Sequence, residues 1–329
     1  MTLQVSAKFR PDIKKVMERR SFEVETATKE FIKRKQSEGI DINEEMLISN
    51  ANIVLEFQRY TNAYSSLKMN DYIPMSVKFE RVNANGVPAE WITPPNTETK
   101  KVLFYLFGGA FVAGMIETRR WMPYLISQSS HIRALLIGYR LAPEHPFPAA
   151  LEDSIKAYQW LLSVGIKAEN IIIAGSSSGG GLAISTLLKL KELSLPLPAG
   201  SVVLSPWTDL MCSGESMKIN AEYEPDLSKP LLRMAAIAYS GGTRRKDPLA
   251  SPLYANLKDL PPILIHVGSI ETLRDDSLRL ADRAKAAGVA VTLEVWKDMP
   301  HVFHNYYNEI PESKDAIQKI GKFIQTILI

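Results

Sequence analysis

From about residue 101 onward, short apolar segments alternate with stretches of helical character. The apolar segments cover residues 102–107, 134–139, 170–175, 201–204, 263–267 and 291–296. The helical stretches begin near Thr118, Ala149, Gly180, Asp275 and Glu312. Short, almost continuous apolar strands separated by helices are typical of a mostly parallel sheet that helices cover on both faces. The pattern therefore predicts an α/β fold.

Two further segments precede this alternation. Residues 11–67 lack a strand pattern and instead have the apolar spacing of two or three helices. Residues 76–82 and 88–95 have the pattern of strands, and the Asn85-Gly86 pair between them is a strong signal for a tight hairpin turn. Together with the six apolar segments, this antiparallel pair gives a predicted sheet of eight strands.

The alternation is interrupted once. No strand pattern follows soon after residue 206. Residues 207–245 instead have helical character near residues 231–239. We expect this insertion and the helical N-terminal segment to form a lid over the carboxyl edge of the sheet, where ligands bind in open α/β sheets. The predicted organisation is an N-terminal cap segment over residues 1–70, a core over residues 71–206 and 246–329, and a second cap segment over residues 207–245.

The composition is that of a folded, soluble chain. The 329 residues include 39 basic and 36 acidic side chains, which leaves a formal charge of +3 and excludes a disordered or acidic-tail protein. The single cysteine, Cys212, excludes an internal disulfide framework and cysteine-based zinc sites. Because the basic residues form no stripe, we expect no nucleic-acid partner.

Two features of the sequence bear on location. The N-terminal residues have neither the apolar region nor the cleavage site of a secretory signal. The longest apolar run, residues 102–116, carries three glycines and is too short to cross a bilayer. We therefore expect a cytoplasmic protein that has no membrane partner.

Two glycine-containing turns follow predicted strands and carry the candidate chemistry. Gly175, Ser177 and Gly179 form a G-x-S-x-G pattern between a strand and a helix, where a tight turn presents the serine hydroxyl above the sheet as a nucleophile. The alternative is a phosphate-binding turn, but the chain lacks the lysine and the glycine spacing of those motifs. Gly108 and Gly109 end an earlier strand, where backbone N–H groups can face a developing oxyanion.

These turns and two further blocks resemble the landmarks of the hormone-sensitive-lipase-like esterases, also called family IV bacterial lipolytic enzymes. The matching blocks are F-G-G-A at residues 107–110, Y-R-L-A-P-E-H-P-F-P-A-A at 139–150, G-S-S-S-G-G at 175–180 and M-P-H-V-F at 299–303. The resemblance implies an α/β-hydrolase fold, with an eight-stranded, mostly parallel sheet under a helical cap. It also implies carboxylic-ester hydrolysis without a metal or organic cofactor, and a homodimer through the last strand, residues 291–296.

The general base of such a site is a histidine that follows the acid along the chain. His301 matches the family's M-P-H-V-F block, and His304 lies three residues later. His266 lies inside an apolar strand, which is the setting of a core histidine. His301 is therefore the predicted base, and His304 is its alternative.

The acid is assigned by the same resemblance. The family's D-P-L-R-D-E segment aligns with residues 271–276, which places Glu271 in the position of the acid. Asp275 is the alternative, although the first turn of a helix favours a carboxylate for its own reasons. The resemblance thus implies a triad of Ser177, His301 and Glu271, in which the glutamate orients the imidazole.

The oxyanion donors that the resemblance implies are the N–H groups of Gly108, Gly109 and Ser178. Two departures from the family pattern surround them. Phe107 replaces the histidine of the usual H-G-G-G turn, so we expect packing of its ring to hold the turn. Ser176 and Ser178 replace the aspartate and alanine of the usual G-D-S-A-G elbow.

The expected substrate is a small ester with a short to medium acyl chain. Phe107, Phe111 and Trp207 are the candidate substrate-binding residues, although aromatic residues near strand ends are equally often part of the core. The same triad serves lactone, aryl acetamide and carbamate hydrolysis, so these reactions remain alternatives. A non-catalytic ligand-binding protein on this scaffold is an alternative from another class.

Overall fold

A computed structural model describes residues 9–43, 46–224 and 227–328 of the chain. The helices are α1 (Pro11–Ser37), α2 (Met46–Ser49), α3 (Ala51–Asn70), α4 (Trp121–Ser130), α5 (Ala149–Ser163), α6 (Ser178–Glu192), α7 (Ser216–Ile219), α8 (Lys229–Ser240), α9 (Arg274–Ala286) and α10 (Pro311–Ile327). The strands are β1 (Lys78–Ala84), β2 (Val87–Thr93), β3 (Glu98–Leu106), β4 (Ile132–Ile137), β5 (Ile171–Ser176), β6 (Gly200–Leu204), β7 (Ile263–Gly268) and β8 (Val291–Trp296).

Within the described residues the strands form one eight-stranded sheet in the order β1-β2-β4-β3-β5-β6-β7-β8. Asn85 and Gly86 both have positive φ, as a two-residue hairpin requires, and join β1 to β2 in antiparallel register. β2 pairs with β4 in the antiparallel sense, and the remaining pairs are parallel. The predicted α/β-hydrolase fold, an eight-stranded and mostly parallel sheet, is confirmed.

Most predicted strands begin and end within two residues of the observed ones, but β3 begins at Glu98 rather than residue 102. Its first three residues are exposed and polar, so they give no hydrophobic signal. β5 and β7 are buried along their whole length, as central parallel strands are. β8 is half-exposed because it forms one edge of the sheet.

The strand order also fixes where the helices lie. The chain moves from β3 to β4 in one direction across the sheet and from β4 to β5 in the other. Because parallel crossovers are right-handed, α4 and α5 cover opposite faces. The direction therefore reverses between β3 and β5, and the crevice beyond their carboxyl ends is the usual ligand-binding position of an open α/β sheet.

The predicted cap segments contain α1 to α3 at the N-terminus and α7 and α8 between β6 and β7. Ile13 and Met17 of α1 belong to the same buried cluster as Met299 and Phe303, which follow β8. Arg59 of α3 donates hydrogen bonds to the core carbonyls of residues 112 and 142. Among the described residues, no helix is long and apolar enough to span a membrane.

Candidate active site

Ser177 occupies a strained turn between β5 and α6. Its φ of 54° and ψ of −124° are unusual for a residue with a side chain. A Cβ on Gly175 would lie 2.2 Å from the carbonyl oxygen of Gly179, and a Cβ on Gly179 would lie 2.1 Å from that of Leu106. Only glycine therefore fits at both positions, and the turn leaves Ser177 partly exposed while Ser176 and Ser178 are buried.

His301 and Glu271 are in direct contact. Nδ1 of His301 lies 2.5 Å from Oε2 of Glu271, whose side chain is fully buried. The other carboxylate oxygen accepts hydrogen bonds from the Gly268 N–H at 2.6 Å and the Ser205 hydroxyl at 2.9 Å. These bonds replace the water that burial removes and fix the carboxylate against the imidazole.

Ser205 links this carboxylate to the histidine loop. Its hydroxyl also accepts the N–H of Val302 at 3.1 Å, so one side chain contacts both Glu271 and the residue after His301. Ser205 is fully buried and has a φ of 47° directly after β6. Sequence reasoning assigned it no role, because its partners lie 66 and 97 residues away along the chain.

The alternative acid and its neighbour hold loops instead of the histidine. Oδ2 of Asp275 accepts the N–H of Ser216 at 2.8 Å. Oδ2 of Asp276 accepts the N–H groups of Thr208 at 2.7 Å and Asp209 at 2.8 Å. Burial, helped by the charge of Asp209, raises the pKa of Asp276 to about 7. The structure thus brings Glu271, and neither aspartate, to His301.

The alternative base, His304, is fully buried and contacts His266. Nδ1 of His266 lies 3.2 Å from Nε2 of His304, and the two rings stack with centroids 5.4 Å apart. Burial lowers the pKa of His266 to about 3 and that of His304 well below its usual value. Both rings are therefore neutral core groups near the site, as expected for His266.

The Gly108-Gly109 turn lies beside the serine. A Cβ on Gly108 would lie 3.1 Å from Cβ of Ser177, and Gly109 has a φ of 141° with the Ala113 carbonyl oxygen 1.9 Å from where its Cβ would be. Among the backbone hydrogen bonds of the described residues, none uses the N–H of either glycine. Ser178 is the first residue of α6, where an N–H has no acceptor within the helix. Three N–H groups are thus available near Ser177.

Phe107 holds this turn from behind. Its ring is 1% exposed and stacks on Tyr139, with centroids 4.2 Å and planes 18° apart. The Tyr139 hydroxyl donates to the Phe107 carbonyl at 2.6 Å, and burial raises the Tyr139 pKa, which keeps the phenol protonated. Of the two roles predicted for Phe107, this geometry supports bracing of the turn by packing, while contact with substrate stays a prediction.

The two unusual serines of the elbow also make hydrogen bonds. The hydroxyl of Ser178 accepts the N–H of Phe111 at 3.3 Å, which ties the elbow to the segment after the glycine turn. The hydroxyl of Ser176 accepts a hydrogen bond from Tyr105 at 3.0 Å. Sequence reasoning missed both contacts, and the only signal was a polar residue on each side of the candidate nucleophile.

Phe111 and Trp207 belong to an aromatic cluster next to the turn. Phe111 stacks on Tyr239 of α8 with centroids 3.7 Å apart, and its centroid lies 6.1 Å from that of Trp207. All three side chains are at most 2% exposed. The cluster connects α8 to the segment after the Gly108-Gly109 turn, and its contact with substrate stays a prediction.

A separate cleft of about 370 Å³ opens between α3 and the core. Its lining includes Arg59, Asn62, Met115, Leu141 and Glu144, and it contains no member of the candidate triad.

Across residues 9–43, 46–224 and 227–328, no three His, Cys, Asp or Glu side chains are grouped as a metal site requires.

Comparison with known proteins agrees with the fold. The family model described as alpha/beta hydrolase fold matches residues 103–305. An acetyl-hydrolase of Streptomyces hygroscopicus is 40% identical over 245 residues, which cover 74% of this chain and 82% of that protein. An esterase of Acinetobacter venetianus is 34% identical over 253 residues, which cover 77% of this chain and 83% of that protein.

Solved structures give the same result. An esterase from the bacterial hormone-sensitive lipase family superimposes with a TM-score of 0.79 at 39% identity, over 94% of this chain and 99% of that one. The match is high in both sequence and structure and extends well beyond the residues of the elbow. The chain therefore belongs to the alpha/beta hydrolase family and, within it, to the bacterial hormone-sensitive lipase family.

Proposed function

We propose that this protein is a carboxylic-ester hydrolase in which Ser177 is the nucleophile, His301 the base and Glu271 the acid. The observation that carries the proposal is the 2.5 Å contact between His301 and Glu271 at the sheet edge where the strained elbow presents Ser177. The esterase and acetyl-hydrolase names of its relatives support the same class of reaction.

The geometry supports an acyl-enzyme mechanism. Oγ of Ser177 adds to the ester carbonyl carbon while Nε2 of His301 takes its proton, and the oxyanion accepts N–H groups of residues 108, 109 and 178. The intermediate collapses when the C–O bond to the alcohol breaks and His301 returns the proton to the leaving oxygen. Water then attacks the acyl-enzyme with His301 as base, releasing the acid and Ser177. Glu271 holds the imidazole tautomer and stabilises the imidazolium.

Short to medium acyl chains are the substrates that this site suits best. The closed aromatic cluster of Phe111, Trp207 and Tyr239 limits the room beside the oxyanion turn. One relative is named an ethyl acetate hydrolase. That name supports small esters as the substrates of this protein. We expect a homodimer that forms through β8. The mass of the protein in solution distinguishes this dimer from a monomer.

The experiment is a pair of measurements on purified protein. Initial rates on p-nitrophenyl esters of two to sixteen carbons should be highest at eight carbons or fewer. A fluorophosphonate probe, which needs an activated serine, should label the wild type and Ser176→Ala but not Ser177→Ala. A wild-type protein that neither turns over esters nor takes the probe is a non-catalytic binding protein, and the proposal is then wrong.

A further inference from the structure

Arg119 lies behind the oxyanion turn and is held by the first cap segment. Its Nη1 donates to the Ser66 hydroxyl at 3.2 Å and its Nη2 donates to Oδ1 of Asn62. Both partners belong to α3, which is separate in sequence from the strands that form the site. The Nε atom is shielded from solvent and has no hydrogen-bond partner in the described part of the chain. The guanidinium is thus fixed by neutral groups.

The glycine turn separates Arg119 from the nucleophile. A Cβ on Gly109 would lie 3.4 Å from Nη2 of Arg119, and a Cβ on Gly114 would lie 3.2 Å from its Nε. On the other side, a Cβ on Gly108 would lie 3.1 Å from Cβ of Ser177. One dipeptide therefore stands between the guanidinium and the serine, and that dipeptide supplies two of the expected oxyanion donors.

The charge of Arg119 is not neutralised locally. Among the described residues, no carboxylate forms an ion pair with it, and the ionisable groups that face it are Tyr105, Tyr139 and Arg20. Burial lowers the pKa of Arg119, but a guanidinium stays protonated in proteins at neutral pH. The charge of the next residue, by contrast, is paired, because Arg120 donates two hydrogen bonds to the Glu90 carboxylate at 2.7 and 2.8 Å.

An unpaired cation this close to a forming anion affects the reaction. The oxyanion carries a full negative charge only in the tetrahedral state, so a fixed positive charge nearby stabilises that state more than the neutral ester. Arg119 is only partly exposed and its Nε is shielded from solvent, which keeps the attraction stronger than it is at a fully exposed surface. The preorganised position matters too, since Asn62 and Ser66 fix the guanidinium before substrate arrives.

We propose that Arg119 is a positioning residue for ester hydrolysis, whose fixed charge acts through the Gly108-Gly109 turn to stabilise the oxyanion. The inference rests on the function proposed above. It also gives α3 a role in the reaction, because the hydrogen bonds from Asn62 and Ser66 place that charge. Ser177 attacks, the glycine N–H groups bind the oxyanion, and Arg119 raises the positive potential at that position.

The test compares two substitutions that differ in charge. Arg119→Met keeps much of the side-chain volume but removes the charge, and we expect kcat to fall roughly 10–100-fold with KM changed by less than about twofold. Arg119→Lys keeps the charge and should recover kcat to within about fivefold of the wild type. Arg120→Met is the matched control, since Glu90 keeps its second partner, Arg81, and its kcat should match the wild type.

A second readout isolates the charged state. A phenylboronic acid binds serine hydrolases as a tetrahedral anion, so its inhibition constant should rise in Arg119→Met in parallel with the loss of kcat. The inhibition constant of a neutral alcohol product should stay unchanged. A role in folding alone predicts no such difference between an anionic and a neutral inhibitor.

A double variant keeps the proposal testable if Arg119→Met does not fold. Asn62→Ala combined with Ser66→Ala keeps Arg119 but removes the two side chains that accept hydrogen bonds from its guanidinium. This double variant should lower kcat several-fold. Equal losses in Arg119→Lys and Arg119→Met, or wild-type kcat in Arg119→Met or the α3 double variant, would overturn the role of Arg119 while Ser177-dependent hydrolysis persists. A wild-type protein that does not hydrolyse esters would instead overturn the proposed function together with this inference.

Discussion

The ring of Phe107 stacks on the ring of Tyr139, 4.2 Å between centroids, directly behind the two glycines that are expected to bind the oxyanion. Phe107→Ala should therefore lower kcat and, because the ring is 1% exposed, cost ~3–5 kcal/mol of stability through the cavity it leaves. Steady-state kinetics and urea unfolding measure the two effects.

A matched control for this substitution is Phe104→Ala. Phe104 of β3 is fully buried and packs against Tyr158 of α5, away from the glycine turn. The Phe104→Ala variant should lose comparable stability, and its folded fraction should keep the wild-type kcat. An unchanged kcat and melting temperature in Phe107→Ala would show that the ring neither braces the turn nor fills the core.

Glu271 and Asp275 make a discriminating pair of substitutions. Glu271→Gln removes the charge that holds His301 and should lower kcat at least ~10²-fold. Asp275→Asn should change kcat little, because Asp275 accepts the N–H of Ser216 and does not contact the histidine. Both are measured as kcat at saturating p-nitrophenyl acetate. The reverse ranking would move the acid to Asp275.

Asp276 gives the protein a specific pH dependence of stability. Burial raises its folded-state pKa from 3.8 to about 7, so the folded protein binds more protons at this group than the unfolded chain between those pH values. Its contribution to stability is therefore full below about pH 4 and is lost as the pH rises through 7.

Asp276→Asn removes this titration and retains an oxygen that accepts the N–H groups of Thr208 and Asp209. The free energy of unfolding of Asp276→Asn minus that of the wild type should thus increase between pH 5 and pH 8. Urea unfolding at the two pH values measures it. A difference that is constant with pH would mean that Asp276 has the same pKa in both states.

The N-terminal helix should be required for a working site. Ile13 and Met17 of α1 cluster with Met299 and Phe303, on either side of His301. Deleting the first 30 or so residues would expose this apolar surface and should abolish activity or solubility. Ile13→Asp tests the same contact without shortening the chain. Wild-type rates and solubility in both variants would contradict the role assigned to this segment.

The sequence predicted those features that depend on local pattern. The hairpin at Asn85-Gly86, the strand before Ser177 and the glycines around it are set by backbone geometry that neighbouring residues determine, so their spacing carries the information. The start of β3 was missed because exposed polar residues such as Glu98 extend a strand without a hydrophobic signal.

Contacts between distant segments were beyond sequence reasoning. Ser205 reaches Glu271 and Val302, and Arg119 reaches Asn62 in a different segment of the chain. Such contacts depend on how helices and loops pack in three dimensions, which no local spacing encodes. The roles of the two cap segments and of the aromatic candidates remain predictions for the same reason.

The hydrolysis rate of Ser177→Ala tests the central claim most directly. With p-nitrophenyl acetate as substrate, kcat/KM should fall by ~10⁴ or more, because members of a triad act as a unit. The circular dichroism spectrum and melting temperature should stay close to those of the wild type, which establishes that the fold is intact. A folded Ser177→Ala protein that retains a tenth of the wild-type activity would contradict the mechanism.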